Sequence, residues 1–242
     1  EVTDTVIYGG LQTAAGSAPF PNGPSLWKTQ MVGTTQDASR PRTITVLAAA
    51  NGLFKKVTPS GFVALNTTAP LTATYDSTAP YVQMVAAFSK IYITDGRSYH
   101  VYDPETNERT NWVSEDLGII PPRCRIIETW RGRLVLGRDP EDPSAWHMST
   151  SFDPLSWDNF PQNPSARDAI SAKNSRAGGI PDIVNAIIPY NDDLCIIGGD
   201  SSIWRMTGDP RAGGQLDLVT DQSGISFGRP WCKDPGGRVW FF

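Results

Sequence analysis

Short apolar runs separated by tight turns fill most of the chain, and one arrangement of them recurs. Thr43-Ile44-Thr45-Val46-Leu47 leads through Asn51-Gly52 into Leu53-Phe54-Lys55-Lys56-Val57. Asn-Gly between apolar runs is the strongest short hairpin signal, because both turn residues must take positive φ. A second copy runs from Val82 to Phe88, turns at Ser89-Lys90, continues from Ile91 to Gly96, and ends with Ser98 to Tyr102 before Asp103-Pro104. The third is Arg125 to Trp130, Arg131-Gly132, Arg133 to Gly137, then Ala145 to Ser149. The fourth is Val184 to Tyr190, Asn191-Asp192, Leu194 to Gly199, then Ser202 to Met206, closed by Gly208-Asp209-Pro210. A fifth begins at Pro230-Trp231-Cys232 and turns at Gly236-Gly237 into Arg238 to Phe242.

The turns stand at 51, 89, 131, 191 and 236, so they are 38, 42, 60 and 45 residues apart. Four strands of about five or six residues with short turns fill roughly 40 positions, the length of one propeller blade. The interval of 60 contains Ser151 to Asp182, rich in Pro, Asn, Ser and Gly. It reads as a long insertion loop (151–182) with a short helix near Ala166 to Ala172. Central strands that are nearly continuous apolar runs fit burial on both faces, which radial stacking of small sheets provides. A sandwich predicts cleaner in–out alternation, with turns every 8–12 residues or so. The expectation is therefore an all-β chain: a single β-propeller domain over 1–242, built of short four-stranded antiparallel blades, with five or six visible. Residues 1–40 read as a partial blade, with strands at Val6-Ile7-Tyr8 and Leu26 to Val32 around a loop from Ala14 to Pro24. A start without Met and an end in Trp240-Phe241-Phe242 suggest a piece of a longer polypeptide.

Composition narrows the function classes. Of 242 residues, 22 are Gly and 20 Pro, a density that breaks long helices. The net charge of −4 leaves no basic footprint for nucleic acid. No run approaches the roughly 20 apolar residues of a membrane span, so no membrane insertion is expected. Glu1-Val2-Thr3-Asp4 lacks the features of a secretory leader. Cys124, Cys195 and Cys232 are odd in number and far apart, which suits reduced thiols better than a disulfide framework.

Candidate chemistry is sparse. His100 and His147 both fall in predicted strands, with no carboxylate or thiolate at ligand spacing along the chain. Neither C-x-x-C nor H-E-x-x-H occurs, so the sequence predicts no metal site. Asn191-Asp192-Asp193 reads as turn chemistry rather than a calcium loop. Ser223 to Gly228 is glycine-punctuated but lacks the strand–loop–helix setting of a phosphate cradle. No catalytic, cofactor-binding or metal-binding residue is singled out, and the chain is expected not to be an enzyme. Seven of the tryptophans, at 112, 130, 146, 157, 204, 231 and 240, fall mostly at strand positions and read as packing residues.

Two resemblances follow from these runs. Ser151-Phe152-Asp153-Pro154-Leu155-Ser156-Trp157 resembles the aspartate-box turn of sialidase-type propellers, without its glycine and one residue shorter between Asp153 and Trp157. In those families the box is a structural turn, so no activity follows from it. Met148-Ser149-Thr150 followed by Phe152 to Trp157, together with Asn185 to Pro210, is similar to phrases in phage virion propellers. The nearest types are the tail nozzle (tail tubular) proteins of short-tailed phages and the hub proteins that stabilise packaged DNA. The likeness covers roughly residues 120–242. It implies a homo-oligomeric ring, commonly sixfold, in a virion tail assembled in the host cytoplasm. Adaptor and fibre proteins would be its partners, and double-stranded DNA would pass through without specific binding. The 151–182 excursion would be a ring contact or a fibre-docking loop. The competing reading is a carbohydrate-active or partner-binding propeller.

Overall fold

In this computed structural model the described residues are 26–31, 43–50, 53–58, 61–65 and 82–242. The hairpin turns show how the repeat is built. Phe88 and Ser89 have φ of 50° and 61°, and Arg131 and Gly132 have 52° and 68°. Two successive positive-φ residues make the turn that matches the twist of its flanking strands. The second turn therefore sits one residue earlier than the sequence suggests, on Phe88-Ser89, and Lys90 opens the next strand. The Asn51-Gly52 turn, the strand read at Val6-Ile7-Tyr8 and the loop from Ala14 to Pro24 lie outside the described residues.

Eighteen strands are described, and within each sheet they pair antiparallel in sequence order. The first sheet contains β1 (Leu26–Met31), β2 (Thr43–Ala50), β3 (Leu53–Thr58) and β4 (Gly61–Ala64). The second contains β5 (Gln83–Ala87), β6 (Lys90–Thr94), β7 (Tyr99–Asp103) and β8 (Glu108–Asn111). The third contains β9 (Ile126–Trp130), β10 (Arg133–Gly137), β11 (Trp146–Met148) and β12 (Ile170–Ser171). The fourth contains β13 (Ala186–Pro189), β14 (Leu194–Gly198), β15 (Ile203–Thr207) and β16 (Gln215–Thr220). A hairpin of β17 (Trp231–Lys233) and β18 (Val239–Phe241) completes the order. The chain is all-β, with small four-stranded meanders and no helix among the described residues.

The strand read near Leu26 finds its partner, and one sequence expectation, the helix near 166–172, is corrected. The strand at Leu26–Met31 pairs with β2, from Leu26 opposite Ala48 to Met31 opposite Thr43, and so forms the outer strand of the first sheet. No helix spans 166–172. That stretch is a turn followed by β12, because His147 and Met148 offer Ser171 and Ile170 a sheet edge to pair with. The long excursion thereby donates the fourth strand of its sheet.

The chain divides into two compact units, Glu1–Trp112 and Val113–Phe242. In the first, Leu47, Ala49 and Phe54 pack with Met84, Ile91, Ile93 and Tyr102. Strand period places the last four on one face of the second sheet. The second unit shows the principle more fully. Ile187, Cys195, Ile197 and Met206 lie on one face of the fourth sheet and pack with Ile126, Trp130, Val135, Trp146 and Met148 of the third. Ala186, Ile188, Ile196 and Ile203 lie on the opposite face and pack with Ile225, Trp231 and Val239. Covering both faces explains why β13 and β14 read as uninterrupted apolar runs.

The tryptophans divide accordingly. Trp112, Trp130, Trp146 and Trp157 are buried, Trp204 and Trp231 half-buried, and Trp240 exposed.

Candidate functional site

Three polar constructions stand out, each made by a turn or strand end rather than by a cleft. The first is the turn that resembles an aspartate box. Thr150 N donates to Ser156 O at 2.9 Å, and Leu155 N donates to Asp153 Oδ1 at 2.9 Å. Trp157 is buried, and its Nε1 donates to Pro154 O at 3.0 Å. The organiser is Asp116. It accepts from Ser114 Oγ at 2.6 Å, Ser156 Oγ at 2.7 Å, Gly118 N at 2.9 Å, Asp158 N at 3.1 Å and Trp157 N at 3.2 Å. Partial burial pushes the Asp116 carboxyl up, but those donors outweigh it and hold the group well below the usual carboxylate range. Asp153 and Asp116 are both consumed in building the turn.

The second construction is the seat of the long excursion. Arg133 is buried on the sheet face that meets the fourth sheet. Its Nη1 donates to Ser149 O at 2.8 Å and Asp168 O at 2.6 Å, and its Nη2 donates to Ala166 O at 2.9 Å. Arg211 adds a bond from Nε to Ser165 O at 3.0 Å and an ion pair with Asp168 at 3.3 Å. Trp146 Nε1 reaches Gly178 O at 2.9 Å. The excursion is thus fastened to the third and fourth sheets along its length, with Ala169, Ile170 and Ile180 buried. Phe152 and Phe160 are its exposed large hydrophobic side chains.

The third construction concerns the histidines, each of which lies in a strand beside a carboxylate. His100 Nε2 lies 3.4 Å from Asp95 Oδ2, and both side chains are buried. Asp95 also accepts from Arg97 N at 2.8 Å and Ser98 N at 2.6 Å, so it organises the β6–β7 turn. Burial pushes the Asp95 carboxyl up, but His100 and the two amides prevail and set it at about 2. Burial also lowers His100, against the opposing bond from Asp95.

His147 has two neighbours of metal-binding type. Cys124 precedes β9, Asp139 follows β10, and His147 is the middle residue of β11. Because β9 and β11 both run antiparallel to β10, these three positions meet at one end of the third sheet. One ligand atom from each lies within 4.8 Å of the others, and all three residues are buried. Nothing in the linear spacing reveals this group, since strand pairing, not a local motif, assembles it.

Other sequence candidates resolve into structural roles. Asn191 Oδ1 accepts from Asp193 N and Leu194 N, each at 2.8 Å, as turn chemistry requires. Within Ser223 to Gly228, Ile225 is buried, and Gly228 N donates to Asn185 O at 3.0 Å. None of the three cysteines is in a disulfide; Cys195 is buried and Cys232 exposed. No helix among the described residues is long and apolar enough to cross a membrane.

No family model matches the chain, and no curated protein sequence matches it. Among solved structures it is similar to the extracellular domain of a B. thetaiotaomicron protein described as a hybrid two component system. That likeness has a TM-score of 0.53 and 11% identity, over 81% of this chain and 26% of that chain. The chain therefore spans about a quarter of the length of that structure. At such identity the likeness concerns the fold alone, an all-β arrangement of small antiparallel sheets.

Proposed function

We propose that this chain is a non-enzymatic β-propeller module of a phage tail ring, of the nozzle or hub type, around the channel through which DNA leaves. The observation that carries the reading is the two-sided covering of the fourth sheet, by the third sheet on one face and by Ile225, Trp231 and Val239 on the other. Successive four-stranded meanders that bury both faces are the building plan of a propeller, which leaves only short edges exposed.

The virion reading adds the phrases around Ser149 to Trp157 and Asn185 to Pro210. Both fall on rigid scaffolding: the Asp116-centred turn and the β13–β15 meander with its closing Gly208 turn. Carboxylates spent on turns suit a part whose task is shape. A ring of such modules needs head-to-tail contacts between copies, and an acidic chain does not retain passing phosphates. Light scattering and negative-stain microscopy of the purified protein test this reading. A closed ring of copies, sixfold in projection, is expected; a monomer that hydrolyses glycosides overturns it.

A further inference from the structure

The end of the third sheet gathers a thiol, a carboxylate and an imidazole that the ring reading does not use. From this geometry we infer that Cys124, Asp139 and His147 form a zinc(II) site that ties together the start of β9, the end of β10 and the body of β11. Zinc takes a thiolate at about 2.3 Å, an imidazole at about 2.0–2.1 Å and a carboxylate at about 2.0–2.2 Å. Tetrahedral ligands at those lengths stand roughly 3.3–3.7 Å from one another. His147 Nε2 and Asp139 Oδ2 are 3.9 Å apart, and every pair of donor atoms is within 4.8 Å. Side-chain shifts of about an ångström or less close the site.

A second observation points to a ligand. His147 Nε2 is buried and has no hydrogen-bond partner, although the side chain is only 10% exposed. A buried polar atom left unsatisfied in this way is uncommon. Asp139 is already oriented: its Oδ1 accepts from Glu141 N at 2.9 Å, which fixes the carboxylate with Oδ2 toward His147.

The donor set selects the ion. A thiolate with an imidazole suits zinc, whereas calcium and magnesium require oxygen ligands. No fourth His, Cys, Asp or Glu joins the group among the described residues, so water completes the tetrahedron. Binding displaces the Cys124 thiol proton to solvent, which makes affinity rise with pH. With all three donors buried, the ion acts as a clamp on the three strands.

The test uses the whole purified chain, stripped with a chelator and titrated separately with zinc and with cobalt(II). One ion per chain is expected, with a rise in melting temperature on zinc addition. Cobalt should give tetrahedral d–d bands and a thiolate-to-cobalt charge-transfer band. Asp139→Asn should weaken zinc binding more than about tenfold, and Cys124→Ser should abolish the charge-transfer band. Should Cys124→Ser fail to fold, the wild-type cobalt spectrum decides. Absence of the thiolate band, or zinc binding unchanged in Asp139→Asn, overturns the inference.

Discussion

Arg229 Nη2 donates to Glu128 Oε2 at 2.8 Å and also closes on the other carboxylate oxygen. Glu128 shares a sheet face with Ile126 and Trp130, between the third and fourth sheets. Burial pushes its carboxyl up to about 7, more than the charges of Arg229 and Lys233 pull it down. Removing only the arginine strands a buried acid. Arg229→Met should therefore cost about 3–5 kcal/mol in chemical denaturation, and adding Glu128→Gln should restore part of that loss.

The same pair sets a pH dependence. A carboxyl raised from 4.5 to about 7 on folding binds its proton more tightly in the native state. Its contribution is complete below about pH 4.5 and is lost as pH rises through 7. The stability of the wild type relative to Glu128→Gln should thus decline over that window, by on the order of 3 kcal/mol. A constant difference across the window would contradict the assignment.

Asp95 predicts the opposite sign. Its carboxyl is lowered from 3.8 to about 2, so its contribution is present above about pH 4 and disappears as pH falls through 2. Asp95→Asn should lower stability at neutral pH by on the order of 2 kcal/mol. The gap between the two proteins should shrink on acidification, as followed by circular dichroism melts.

Gly118 lies against the backbone of the Trp157 turn. A Cβ there would stand 2.0 Å from the Trp157 carbonyl carbon. Backbone cannot yield cheaply, so Gly118→Ala should destabilise the fold by about 1–3 kcal/mol. Trp157 emission should shift to the red as its cover loosens.

Arg133 serves three carbonyls with one planar fork, which a lysine cannot reproduce. Arg133→Lys should release the excursion, and limited proteolysis should then cut within 151–182 faster than in the wild type. Equal cleavage rates would show that Arg211 and Trp146 suffice to hold it.

These sites also show what a sequence reader can see. The hairpins at Arg131-Gly132 and Gly236-Gly237 were legible because glycine marks a backbone that few residues adopt. The apolar runs of β13 and β14 were legible because both faces are covered. The last strand of each four-stranded meander was not. β8 reads Glu-Arg-Thr-Asn, and β12 is two residues long, so neither carries a periodic apolar signal. β12 exists because β11 offers it an edge. The Cys124–Asp139–His147 group was invisible for a related reason: its members are 15 and 8 residues apart along the chain and meet only through strand pairing. The Asp95–His100 contact was nearer to hand, five positions apart across one turn, and Thr-Asp-Gly before a strand was its available signal.

Electron cryomicroscopy of the native assembly addresses the central claim most directly. The account predicts copies arranged in a closed ring, each presenting its small sheets radially around a propeller axis, with no density for bound substrate. Isolated chains whose sheets pack as one two-layer sandwich, without rotational order, would contradict both the architecture and the function proposed for it.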